Sequence, residues 1–160
     1  MGLKQVVKPD SISSAVNANG PGAFLATKGS LNINVGDSTF TFDAAIDSIA
    51  FVNVELDSNQ YFGITAINKA HTLSFGISSA GVARADTNAA IAGTQLLLNH
   101  DKGAMQYTLA KNISLADVGK IYLIKFQQDS TLTRGTFYTT LAVKGKTTYQ
   151  RATGTFNLLK

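Results

Sequence analysis

Ser30 to Ala44 reads SLNINVGDSTFTFDA. Leu31, Ile33 and Val35 fall on one side of an extended chain, and Asn32 and Asn34 on the other. After Gly36-Asp37-Ser38 the alternation resumes, with Phe40 and Phe42 set between Thr39, Thr41 and Asp43. Successive side chains of a strand point to opposite faces, so this is the pattern of an antiparallel hairpin half buried against a core.

The same period recurs downstream. Ile49 to Leu56, IAFVNVEL, is read with Val52, Val54 and Leu56 in phase, and Asp57-Ser58-Asn59-Gln60 as the turn that follows. YFGITAI and HTLSFGI form the next pair, joined through Asn68-Lys69-Ala70, with Leu73, Phe75 and Ile77 on a shared face. Residues 85–98 carry two readings: a short helix capped by Asp86 or Thr87, or a loop followed by a strand. Gly103 stands where a bulged hairpin needs a left-handed residue. Ser114 to Gly119 reads as one helical turn. Lys120 to Phe126, KIYLIKF, is apolar at both parities and is expected to be a central strand covered on both faces. Thr136 to Val143 and Thr147 to Leu159 close the chain as a hairpin, with Phe137, Leu141 and Val143 on one face and Tyr138, Thr140 and Ala142 on the other.

Short connections between strands imply antiparallel pairing, because parallel neighbours need long crossovers. Turns every 8–12 residues are the spacing of a sandwich or barrel. The expected fold is therefore all-β: an antiparallel β-sandwich, jelly-roll or Ig-like, of about nine or ten strands. Residues 29–160 form that domain. Residues 1–28 are expected to be an extended N-terminal arm, since they hold too little apolar surface to offset the entropy of ordering them alone. Phe24 and Leu25 are the apolar anchor within the arm, and they point to its ordering against a sheet edge or a neighbouring copy.

Composition narrows the chemistry. Of 160 residues 44% are hydrophobic and 15% charged, which suits one globular domain with a polar, weakly charged surface. Nine of the ten acids are aspartates, a choice that favours turns over helix interiors. The absence of cysteine removes disulfides, thiolate nucleophiles and cysteine zinc sites. No run approaches the roughly 18 apolar residues of a membrane helix, so no membrane partner is expected. A secretory leader is not expected near Lys4 and Lys8, and Val6 spoils a myristoylation signal; the alternative is a leader that has been removed. Residues 1–100 hold seven acids and five bases, whereas residues 101–160 hold three acids and nine bases. That excess fits an anion-binding surface, or a dispersed set of bases guarding a solvated edge; the dispersion favours the second.

Candidate catalytic groups are few. His71 and His100 lie in no nucleophile-elbow setting and in no zinc spacing, and read as local hydrogen-bonding residues. Asp43, Asp47, Glu55 and Asp57 are the one concentration of acids, which a calcium site or a glycosidase pair would use; without a calcium-loop pattern they read as turn formers. Gly20-Pro21-Gly22 follows no strand and is no dinucleotide loop. No catalytic residue, metal site or cofactor is expected. Tyr138 and Tyr149 flank the last hairpin beside Lys144, Lys146 and Arg151, a mixture that could hold single-stranded nucleic acid; cross-strand tyrosine packing is the commoner use, so nucleic acid is not the expected partner.

A cysteine-free, tryptophan-free domain rich in Thr, Asn, Ala and Gly behind a leaderless arm resembles the virion structural proteins of bacteriophages: head decoration, tail-tube or fibre-base subunits. The last 25 residues or so, FYTTLAVKGKTTYQRATGTFNLL, are also similar to the closing hairpin of small gut-bacterial surface lipoproteins. The first resemblance implies a non-enzymatic homo-oligomeric subunit of a virion, made in the host cytoplasm, whose partners are copies of itself and other assembly proteins. Its expected subunit contacts are Phe24 and Leu25 in the arm and Tyr138, Lys144, Lys146, Tyr149 and Arg151 in the final hairpin. The second implies a secreted or surface-anchored binding module.

Overall fold

The computed structural model describes residues 23–100, 103–110, 118–127, 132–143 and 149–160. Eleven strand segments follow one another among the described residues: β1 (Phe24–Leu25), β2 (Lys28–Val35), β3 (Ser38–Asp43), β4 (Ser48–Leu56), β5 (Asn59–Ile67), β6 (Leu73–Ala80), β7 (Thr87–His100), β8 (Gly103–Leu109), β9 (Gly119–Gln127), β10 (Leu132–Val143) and β11 (Tyr149–Leu159). All pairings are antiparallel. The all-β class and the opening hairpin are as the alternation predicts, with Val35 facing Ser38 across Gly36-Asp37.

The sheet closes on itself. β1 pairs with β4, and β2 pairs with both β3 and β11. Only Ala26 and Thr27 separate β1 from β2, and their amides donate to Ile49 O at 2.8 Å and Leu159 O at 2.9 Å. Residues 24–35 therefore act as one stave, with β3 and β4 along one side and β11 along the other. β8 and β9 likewise lie end to end between β7 and β10. Counted in this way the ring has eight staves: β1–β2, β3–β4, β5, β6, β7, β8–β9, β10 and β11. Neighbouring staves are consecutive in the chain, so the connectivity is a meander, and the described strands make no jelly-roll or Ig-like crossing.

Side chains from the inner face of the ring meet in one sandwich-like core. Phe75 of β6 and Phe137 of β10 stack with centroids 5.5 Å apart although two staves separate them in the sheet. One apolar cluster fills the interior, drawing on Leu31, Ile33, Phe42, Ile64, Leu96, Ile121, Leu141 and Leu158 among others. Outward positions are mostly polar. Thr39 Oγ1 donates to Asn34 Oδ1 at 2.8 Å, and Thr41 Oγ1 to Asn32 Oδ1 at 2.9 Å.

Two expectations change and one open alternative is resolved. In β4 the core-facing residues are Ile49 and Phe51, the parity opposite to Val52 and Val54; Val52 is buried but lies outside the core cluster. β9 is central but covered on one face only: Ile121 and Leu123 are buried, whereas Tyr122 and Ile124 are exposed. A closed single sheet has no second layer outside it, so an apolar strand need not be covered twice. Of the two readings for residues 85–98 the strand is the one formed, preceded by Asp86 in a left-handed conformation with φ 59°. The helical turn expected over Ser114 to Gly119 lies mostly outside the described residues; Gly119 itself opens β9.

Packing over the neighbouring strands β10 and β11 leaves no room for a side chain at two positions. Gly135 faces Phe156, and Phe137 faces Gly154. A Cβ on Gly154 would lie 2.2 Å from the Phe137 ring, and one on Gly135 would lie 2.1 Å from Tyr122 O. Each phenylalanine occupies the space that the facing glycine vacates.

Candidate functional site

The concentration of acids serves the turns. Asp47 Oδ2 accepts from the Asp43 amide at 2.9 Å, and its Oδ1 accepts from the Lys69 amide at 2.8 Å. Asp43 Oδ1 accepts from the Ala45 amide at 2.9 Å. One carboxylate thus ties the turn after β3 to the turn after β5. Asp57 and Ser58 form the two-residue turn between β4 and β5, both with positive φ. His71 sits exposed in the turn before β6, and its amide donates to Asn68 O at 2.9 Å. Among the described residues no three His, Asp or Glu side chains gather as a metal would require, and no helix is long and apolar enough to cross a membrane.

The surface carries more chemistry on the outside of β9, β10 and β11. The inward parity of these strands is Ile121 and Leu123, then Thr133, Phe137, Thr139, Leu141 and Val143, then Ala152, Phe156 and Leu158. The outward parity therefore presents Lys120 and Tyr122, then Arg134, Thr136, Tyr138 and Thr140, then Arg151, Thr153, Thr155 and Asn157. Register sets these side by side: Lys120 faces Tyr138, Tyr122 faces Thr136, and Arg151 faces Thr140. A bulge after Leu123 brings Lys125 opposite Arg134. The Arg151 guanidinium lies over the Tyr138 ring, 5.0 Å from its centroid. None of the three strands contains an acid.

Tyr122 is fixed at the border of this wall. Its hydroxyl donates to Asp86 Oδ1 at 3.2 Å. That hydrogen bond, reinforced by the carboxylate charge, holds the Tyr122 hydroxyl above the ordinary tyrosine value.

The expected contact residues are dispersed over the molecule. Phe24 is 5% exposed and stacks on Phe51 of its own chain, with centroids 6.2 Å apart. It is part of the core that closes the ring. Leu25, on the opposite face of β1, points outward. Tyr138, Tyr149 and Arg151 lie on the last hairpin as the alternation predicts, and Lys144 and Lys146 fall outside the described residues. Lys120, Tyr122, Lys125 and Arg134 are not among the contact residues expected from the sequence. The parity of Lys120 and Tyr122 against Ile121 and Leu123 was the available signal, but which strands share a wall depends on register.

Compared with family models, curated proteins and solved structures, the chain matches none.

Proposed function

We propose that the protein is a non-enzymatic structural subunit that works by assembling with copies of itself, in a particle of the phage head or tail kind. The observation that carries this reading is an apolar corner on the outside of the closed sheet. Leu25 is 58% exposed, Ile67 47% and Ile46 61%. Register places Leu25 opposite Ala50 and Ile67 opposite Ser48, so both flank β4 on its outer side. Ile46 stands in the turn that leads into β4. Large aliphatic side chains left in water on adjoining strands are the material of a subunit contact.

The interior supports the same reading. Aromatic rings from staves far apart in the ring meet inside it, and a small closed sheet filled in this way does its work on the outer surface. In this account the segment ahead of β1 packs on an adjacent copy, entering beside Leu25.

Light scattering of the full chain over a wide concentration range tests the reading. A mass of several chains is expected, falling when the chain is started at Ala23, a truncation that keeps the eleven described strands. A single-chain mass at every concentration contradicts it.

A further inference from the structure

We infer that the outer wall formed by β9, β10 and β11 binds single-stranded nucleic acid, with Lys120, Lys125 and Arg134 on the phosphates and Tyr122 and the stacked Arg151–Tyr138 pair toward the bases. The inference goes beyond the assembly role and stands whether or not the chain oligomerises.

The charge is concentrated where stability alone would not put it. Lys125 and Arg134 face each other across adjacent strands, and like charges in that position are unfavourable. An acid at either place would relieve the repulsion, yet β9, β10 and β11 contain none. Lys120 and Arg151 extend the same cationic surface, and all four bases are exposed. Among the described residues none of the four is paired with a carboxylate. Arg134 and the Arg151 level of the wall are six residues apart along β10, a span of roughly 20 Å at strand rise. A flexible polyanion laid along the wall can meet successive cations over that length.

The aromatic groups decide which polyanion. Tyr122 is 38% exposed, and its ring is anchored at the hydroxyl by Asp86. The guanidinium held over Tyr138 adds a planar cation to the same face. Planar groups interleaved with cations suit unpaired bases, which stack irrespective of sequence. Thr136, Thr153, Thr155 and Asn157 fill the rest of the wall with uncharged hydrogen-bonding groups, as sequence-tolerant backbone contacts require. A sulfated polysaccharide would use the bases but presents no flat π-face to stack on Tyr122 or on the Arg151–Tyr138 pair.

Fluorescence anisotropy of a labelled oligothymidine titrated with the full chain provides the test. Saturable binding is expected, weakening with salt at a logarithmic slope of about −2, since each phosphate neutralised on a single strand contributes about 0.7. Arg134→Ala and Lys125→Ala should each reduce that slope by about 0.7. Tyr122→Leu should weaken binding about tenfold with the slope unchanged. These side chains point into solvent, and matching unfolding curves will show that the variants remain folded. Absence of oligothymidine binding at low salt overturns the inference. So does equal binding of a sulfated polysaccharide with no effect of Tyr122→Leu, which would make the wall a general surface for negative charge.

Discussion

Phe51 of β4 and Phe126 of β9 meet across the interior with ring centroids 5.5 Å apart, although they stand four staves from each other round the closed sheet. Phe51 also contacts Phe24 and Phe62. It is the point at which the stave that closes the ring is joined to the core. Phe51→Ala should lower unfolding stability by about 3–5 kcal/mol, as expected for a fully buried phenylalanine. A double-mutant cycle with Phe24→Ala should give a coupling of about 0.5–1.5 kcal/mol, measured by denaturant unfolding. Strict additivity would mean that β1 does not seal the core.

Gly154→Ala tests the close approach of β10 and β11. The added Cβ would meet the Phe137 ring at 2.2 and 2.4 Å and Asn32 O at 2.8 Å. A loss of about 1–3 kcal/mol in chemical unfolding is expected from overpacking. Shrinking the facing ring in Gly154→Ala/Phe137→Leu should recover part of that loss. At Gly76, where a Cβ would meet nothing within 4 Å, alanine should cost far less.

Tyr122 offers a pH-dependent check on the Asp86 contact. Its hydroxyl titrates above the ordinary tyrosine value of 10.0, because the folded state favours the protonated form that donates to Asp86. The stability from this contact is therefore fully present below the unfolded-state value and is lost as pH rises through the folded-state value. Ultraviolet phenolate titration, with Tyr122→Phe isolating the Tyr122 signal, should show Tyr122 ionising late in the wild type and earlier in Asp86→Asn. An unchanged titration in the variant would remove Asp86 as the cause.

These contacts also show where the sequence was legible. Alternation located the hairpin of Leu31 to Phe42, because its apolar residues occupy one parity only. The same rule misassigned Ile49 to Leu56, where Ile49 and Phe51 sit at one parity and Val52 and Val54 at the other. Both sets are hydrophobic, so period two could not decide which faced the core. The Asp86 and Thr87 signals were those of a cap, but the chain uses Asp86 in a left-handed turn before a long strand. The basic wall was hidden for a different reason. Lys120, Arg134 and Arg151 are far apart in the chain and meet only through the register of three strands, which no local pattern encodes.

The proposal that a second copy covers the exposed corner of Leu25, Ile46 and Ile67 is tested most directly by a paired mass measurement. Sedimentation velocity of the full chain should give a multi-chain species, and Leu25→Lys/Ile67→Lys should give a folded single chain. A wild type that sediments as one chain at every concentration, or a double variant that assembles as the wild type does, would contradict the account.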